Sequence, residues 1–361
     1  MSAEDSIYRD LQIHLDKETV GFPTTASGSD IRLVKALFPP DQAEMAALLT
    51  HRYESLDIIQ QRSEGSGKSI EDIERVLDET VDRGMIGFKE EEGKKQYRNI
   101  PLLVGMVEAA AYEPTPEFNA AWGEYVAESS FIKDFLTSAA PQMRTIPVEQ
   151  SITTEHQIGT YDEIKHIIET TTDPIGIVSC VCRLGAARRG SPCKVTSREE
   201  TCMVFHEGAV NLVKGGGGRQ ISKEEALEIL RKNGEEGLVL QPSNTKGPDF
   251  MCSCCGCCCG ILNMHKSMEN PVEFWATNFL AAVDPDLCTG CGTCVESCQV
   301  NAMTLDDDSS ISVVDATRCL GCGNCAKDCP AEAIELQKKA TEAIPPIDTE
   351  ELFEVIVTQK A

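Results

Sequence analysis

The first 140 residues of this 361-residue chain contain no cysteine, although the whole chain holds 18. That shift in composition separates the N-terminal part from any thiol chemistry in the rest. Long apolar runs are also missing. The best, residues 101–111, is about half of what a membrane-spanning helix needs. No secretory signal is expected, because Met1-Ser-Ala-Glu-Asp-Ser is acidic and no apolar segment follows it. Cysteines in such a chain point to a reducing cytoplasm and to metal ligation rather than disulfides. Basic residues are scarce, 33 against 58 acidic ones, for a formal net charge of -25. A surface of that sign repels nucleic acid and anionic lipid and suits a basic docking face, and it equally serves plain solubility. There is no dinucleotide glycine fingerprint, so a flavin or nicotinamide would belong to a partner. The six histidines are scattered, and no Ser-His-Asp or paired-carboxylate arrangement can be argued.

What is present is one cysteine pattern written twice. The first copy is Cys288-Thr-Gly-Cys291-Gly-Thr-Cys294-Val-Glu-Ser-Cys298 and the second Cys319-Leu-Gly-Cys322-Gly-Asn-Cys325-Ala-Lys-Asp-Cys329-Pro330. Cys-x2-Cys-x2-Cys-x3-Cys lets one short loop present three thiolates to a single Fe4S4 cube. Gly290, Gly292, Gly321 and Gly323 allow the tight curl and turn N–H groups toward sulfide. Zinc and disulfides are the alternatives. Zinc usually takes two Cys-x2-Cys pairs at longer separation, and disulfides disfavour such dense spacing.

Residues from about Ala281 to Leu336 resemble a bacterial-type two-[4Fe-4S] ferredoxin domain, with both runs complete. The resemblance implies a pseudo-twofold fold of two short β-hairpins and two short helices around the cubes. It implies that Cys288, Cys291, Cys294 and Cys329 hold one cluster, and that Cys319, Cys322, Cys325 and Cys298 hold the other. Asn301-Ala-Met-Thr and Ala331-Glu-Ala-Ile fall where that family has apolar shielding. Gln299 stands where the second run has Pro330, a departure that touches local rigidity rather than cluster binding.

Ten further cysteines lie between residues 180 and 259: Cys180, Cys182, Cys193, Cys202, Cys252, Cys254, Cys255, Cys257, Cys258 and Cys259. Six thiols within eight residues are not core packing, because they would repel or oxidise unless a metal neutralised them. One or more further iron–sulfur clusters are the favoured occupants and a zinc knot the alternative. Cys180 and Cys182 are expected to project from one face at a strand's end. They, Cys193 and Cys202 are expected to pair at long range with the 252–259 run. The layout is similar to cysteine-rich regions beside ferredoxin domains in anaerobic redox proteins, which yields no ligand map. Arg183, Arg188, Arg189 and Lys194 form a basic island that either tunes a cluster, holds an anion or is simply solvated. His206 and His265 lie nearest in sequence and read better as ordinary histidines than as ligands.

The N-terminal part reads as helices over 31–38, 41–52 and 55–61, then a helix capped by Ser69 and stopped by Gly84. Strands at 86–88 and 96–100 follow, joined by a charged tip. This order resembles a winged helix, whose third helix reads DNA. Here that helix carries Glu71, Asp72, Glu74, Asp78, Glu79 and Asp82 against Arg75 and Arg83, so protein docking or oligomerisation is the better reading. Gly65-Ser-Gly-Lys-Ser69 lacks the first glycine of a phosphate loop, position 62 being arginine, and reads as a turn. Gly215 to Gly218 likewise reads as a flexible loop. A long amphipathic helix is expected over 117–139, strands at 148–152 and 175–179, and helices at 161–169 and from Ser222 to Lys232.

The expected fold class is an α+β multidomain chain. Residues 1–140 form a winged-helix-like helical domain, 141–275 a cysteine-rich α/β domain, 276–340 the two-[4Fe-4S] ferredoxin-like domain, and 341–361 a tail, either docking strand or extension. The expected function is a multi-cluster iron–sulfur electron-transfer protein of the cytoplasm, in an anaerobic or microaerobic host. It carries low-potential electrons between a redox protein partner, such as a flavoprotein or oxidoreductase, and the central cysteines. An iron–sulfur oxidoreductase working on a small substrate at the central cluster is one alternative. A redox-sensing transcription regulator is another. Substrate, potentials and oligomeric state are not legible.

Overall fold

The computed structural model describes residues 3–64, 67–151, 164–214 and 217–360. Contacts divide the chain into two compact units. One takes residues 1–140, 207–219 and 350–361, and the other takes 141–206 and 220–349.

In the first unit the helices Ala3–Lys17, Ser29–Leu37, Pro40–Ala46, Leu56–Arg62 and Ile70–Asp82 precede the antiparallel pair Ile86–Glu91 and Lys94–Asn99. Helical spacing puts Ile73, Val76, Leu77 and Val81 on one buried face, packed with Met45, Leu49, Ile59 and Tyr97. The Ser69 hydroxyl accepts the Asp72 N–H at 3.2 Å and caps that helix. The tip of the hairpin is shorter than the charged stretch implied. Glu92 and Gly93 both take positive φ, 51° and 74°, a two-residue turn whose twist matches its strands, so Lys89 to Glu91 stay paired. A short strand, Glu54–Ser55, pairs along Lys94–Asn99.

The single long helix expected over 117–139 is two helices, Pro116–Glu128 and Phe131–Leu136. The break comes at Ser129, whose backbone is extended (φ -83°, ψ 161°). The aromatic side still closes up, with Tyr125 and Phe131 rings 5.8 Å apart and Phe131 and Phe135 6.3 Å apart. Near the C-terminus Thr349–Thr358 is a helix, not a strand or plain extension, and it buries Leu352, Phe353 and Ile356. Within this unit the His51 ring lies between Glu18 (3.0 Å) and Glu354 (3.2 Å).

The second unit is built on a sheet. In spatial order its strands run Ile175–Ser179, Glu200–Phe205, Phe250–Cys254, Val239–Pro242. Side chains alternate across a sheet. Ile175, Ile177, Met203, Phe205 and Met251 therefore join one core with Ile229 and Leu230 of the helix Lys223–Glu235. The intervening positions carry Cys202, Cys252 and Cys254 to the opposite face. Ser222 caps that helix by accepting the Glu225 N–H at 3.2 Å. The helix Ile164–Thr170 overlaps the stretch 161–169 expected to be helical and runs one residue past it, and the expected strand at 148–152 is a 3-10 turn over Glu149–Ser151 as far as described. Ile152, residues 161–163, Gly65 and Gly215 lie outside the described residues.

The same unit contains the ferredoxin-like region. Phe279–Val283 pairs antiparallel with Ile334–Lys338, and Met303–Leu305 with Ser312–Val314. Only the second ladder is a hairpin; the first joins the two ends of the region, which corrects the expectation of two hairpins. Two short helices, Thr293–Ser297 and Asn324–Lys327, each start after a left-handed glycine, Gly292 (φ 79°) and Gly323 (φ 81°). Only glycine takes that conformation without strain.

Candidate metal centres

Four of the ferredoxin-run cysteines, Cys298, Cys319, Cys322 and Cys325, line one hollow. Its other walls include Ala281, Val300, Met303, Leu320 and Leu336. Burial pushes the Cys319 thiol up and the Cys322 thiol up to about 12, and the nearby Cys298 sulfur adds to both. Buried thiols that resist ionisation singly, gathered around an apolar hollow, fit a metal core whose positive charge stabilises all four thiolates. The set draws one cysteine from the first run and three from the second.

The other four run cysteines occupy the pseudo-equivalent positions. Ser312 holds two of them, its N–H donating to Cys288 Sγ at 3.4 Å and its hydroxyl 3.0 Å from Cys294 Sγ. Cys291 is exposed and lies 3.4 Å from the Thr293 hydroxyl. Cys298 and Cys329 each accept an N–H from four residues on, Ala302 at 3.1 Å and Ala333 at 3.3 Å. N–H donors aimed at ligand sulfur raise the potential of a cluster bound there.

The ten central cysteines separate into two groups. Six are coupled in a closed ring, in which the ionisation of each thiol is set in part by two neighbours: Cys180 with Cys182, Cys182 with Cys259, Cys259 with Cys254, Cys254 with Cys252, Cys252 with Cys202, and Cys202 with Cys180. Strand register explains part of this. Met203 stands opposite Met251, so the next pair along the antiparallel ladder is Cys202 and Cys252. The rest comes from two eight-residue helices, Val181–Arg188 and Gly260–Ser267, whose N-caps are Cys180 and Cys259. Cys180 and Cys182 therefore do not project from the end of a strand: the chain turns helical at Val181 and brings Cys182 into the first turn. Helix N-termini favour negative charge, as a thiolate-held cluster would carry. Neighbouring thiols and burial push Cys182, Cys252 and Cys254 well up. Gln241 Nε2 donates to Cys254 Sγ at 3.0 Å.

The remaining four, Cys193, Cys255, Cys257 and Cys258, bring all their sulfurs within 4.8 Å of one another. Burial would raise the Cys193 thiol, yet the N–H groups of Thr196 and Val195 and the sulfurs of Cys255 and Cys258 bring it down to about 6. Lys194 N–H donates to Cys257 Sγ at 3.4 Å.

Arg183 joins the two groups. It is buried, and its guanidinium donates to Thr201 Oγ1 and, at 2.7 Å, to the Ser253 carbonyl. Its charge also reaches the Glu236 carboxylate, which Arg198 binds at 2.7 Å. Burial works against its charge, but the thiols of Cys180, Cys255, Cys202 and Cys193 hold its pKa above the ordinary arginine value. A buried cation of this kind requires anions beside it. The rest of the basic island, Arg188, Arg189 and Lys194, has exposed side chains. His206 pairs with Asp173 at 2.8 Å, and His265 packs edge-on to Trp275 at 5.0 Å.

Sequence reading missed Ser312, Gln241 and Lys266, single polar residues with no motif to mark them. Gln299 did leave a signal as the break in the repeat. Its side-chain carbonyl accepts the Gly256 N–H at 2.8 Å, and Lys266 donates to the Gly256 carbonyl. Gly256 stands between Cys255 and Cys257, and Gln299 follows Cys298.

Residues 287–340 match the family model of a 4Fe-4S dicluster domain. Over 34 residues the chain is 50% identical to a "Probable ferredoxin" of Methanosarcina thermophila. That alignment covers 9% of this chain and 59% of the relative, less than two thirds of its length. No solved structure matches the chain. The C-terminal region is thus a ferredoxin-like domain for two 4Fe-4S clusters, and the central cysteines add further metal-binding capacity. Among the described residues, no helix is long and apolar enough to cross a membrane.

Proposed function

We propose that this chain is a multi-cluster electron carrier in which the ferredoxin-like domain exchanges low-potential electrons with an additional centre held by the six-cysteine ring. The observation that carries the reading is the ring itself, six thiols each coupled to two neighbours, within the unit that also contains the ferredoxin-like domain. On this reading Cys288, Cys291, Cys294 and Cys329 hold one cube and Cys319, Cys322, Cys325 and Cys298 the other. Bound iron–sulfur clusters supply one-electron chemistry. The protein contributes thiolates, N–H donors to sulfur from Ala302, Ala333 and Ser312, and apolar walls that exclude water. Arg183 offsets the negative charge of the central thiolates.

The acidic surface suits a basic face on a redox protein partner, a flavoprotein or oxidoreductase in the cytoplasm. The N-terminal region, read as winged-helix-like, serves protein docking. Its Ile70–Asp82 helix turns acidic residues outward, with Lys95 reaching Glu74 at 2.8 Å and Asp78 at 2.6 Å, a poor match to phosphate.

Iron and acid-labile sulfide per chain, with EPR of the reduced protein purified without oxygen, tests the reading. Roughly twelve iron fits a third cluster, whereas about eight leaves the ring without one. Reversible stoichiometric reduction marks a carrier. A ring-cluster spectrum that shifts on adding a small ligand would instead favour the oxidoreductase alternative.

A further inference from the structure

The 252–259 run looks like one cluster of ligands, but its cysteines go to two places. Cys252, Cys254 and Cys259 enter the ring, while Cys255, Cys257 and Cys258 turn the other way to meet Cys193. The second group has its own geometry. Cys193 Sγ lies 3.5 Å from Cys255 Sγ and 3.7 Å from Cys257 Sγ. Cys257 Sγ lies 3.7 Å from Cys255 Sγ and 3.5 Å from Cys258 Sγ.

These separations discriminate between kinds of occupant. Four sulfurs placed tetrahedrally at a metal–sulfur bond of about 2.3 Å sit about 3.8 Å apart. A cube instead carries each thiolate outward on its own corner iron, which spreads the ligand sulfurs well beyond this spacing. The tetrad therefore matches a single tetrahedral ion. Four thiolates with no fifth position describe a closed structural site, the preference of zinc.

We propose that Cys193, Cys255, Cys257 and Cys258 bind one zinc ion, separate from every iron–sulfur cluster of the chain. The site has a structural consequence. Three of its ligands flank or follow Gly256, whose N–H and carbonyl are held by Gln299 and Lys266. The ion fixes the 255–258 turn, and through Gln299 that turn docks beside Cys298 of the ferredoxin-like domain. It also ties the 193 loop to the same turn. The role is independent of electron transfer, since zinc has no redox chemistry. A failure here leaves the carrier reading untouched, and the iron count of the wild-type protein speaks to that reading alone.

The test uses the full chain, expressed with both metals supplied and purified without oxygen. Elemental analysis should give about one zinc per chain, and zinc-edge X-ray absorption should show four sulfurs at about 2.3 Å with no iron neighbour. Cys257→Ser, an exposed member of the tetrad alone, should lose the zinc and keep its iron and sulfide. Cys254→Ser, a member of the ring alone, should lose iron and keep zinc. Zinc-free wild-type protein overturns the proposal. So does a zinc shell of nitrogen or oxygen, or a Cys257→Ser protein that loses iron while retaining zinc. Should Cys257→Ser fail to fold, the wild-type zinc content and absorption shell decide the matter by themselves.

Discussion

Replacing Gly256 by alanine would set a methyl carbon 3.1 Å from the backbone carbonyl carbon of Gln299 and 3.3 Å from its Cα, with the carbonyl oxygen nearer still. All three are main-chain atoms, so no rotamer relieves the overlap and one of the two loops must move. Forcing an extra carbon into a packed site costs about 1–3 kcal/mol. Moving the loop also strains the 2.8 Å bond from Gly256 N–H to Gln299 Oε1, which adds about 1 kcal/mol. The total, about 2–4 kcal/mol, falls on the attachment of the 255–258 turn to the ferredoxin-like domain. Gln299→Ala keeps the glycine and removes only the side-chain acceptor, at about 1 kcal/mol. Thermal unfolding without oxygen, followed by circular dichroism and by cluster absorbance, should separate the two variants by size. The double variant should be less than additive, because both changes act on one contact. A Gly256→Ala protein as stable as wild type, or no worse than Gln299→Ala, refutes the close approach.

Three further outcomes follow from other parts of the molecule. Cys322→Ser, at the wall of the hollow lined by Cys298, Cys319 and Cys325, should lower the iron content by about four per chain, or convert that cluster to a three-iron form visible by EPR; full iron with an unchanged spectrum would contradict it. Arg183→Met keeps most of the volume but removes the cation between the two thiol groups, an imbalance of about 3–5 kcal/mol. Metals should then leave faster under a chelator, and an unchanged loss rate would show that Arg183 does not balance these sites. His51, hydrogen-bonded first to Glu18 and then to Glu354, has its pKa raised above 6.5 although burial opposes this. Folding therefore favours its protonated form. That stabilisation is complete below the ordinary histidine value and is lost as pH rises through the higher folded value. The unfolding midpoint of wild type should fall relative to His51→Gln across that window, and parallel pH profiles would refute the linkage.

How legible these features were in the sequence depended on whether they were local. The two Cys-x2-Cys-x2-Cys-x3-Cys runs were readable because three ligands and their glycines lie within one loop, so spacing alone implies convergence. Ser69 and Ser222 were readable as caps for the same reason. The break at Ser129 was not, since Trp122, Tyr125, Phe131 and Phe135 keep an apolar side through it and periodicity cannot see a residue that turns extended. The C-terminal helix hid behind Ile344-Pro-Pro, which reads as loop. The two-residue turn at Glu92-Gly93 was masked by charges that continue along both strands.

The division of the central cysteines was the least legible feature, and the reason is geometric. Along Phe250–Cys254 the pleat sends Met251 into the core and Cys252 and Cys254 to the other face. Once the strand ends at Cys254, that rule lapses. Cys255, Cys257 and Cys258 follow a turn, and Cys259 regains the ring only because it caps a new helix. A list of spacings treats these six positions alike, whereas three backbone regimes sort them three and three. Residues 180–182 obey the same logic, since a helix begun one residue after the strand leaves Cys180 as cap and carries Cys182 in its first turn. Arg183 then falls between the groups because it is the next residue of that helix. The placement of its charge is therefore a consequence of where the strand stops, and moving that boundary by inserting one residue after Ser179 should disturb ring and tetrad together.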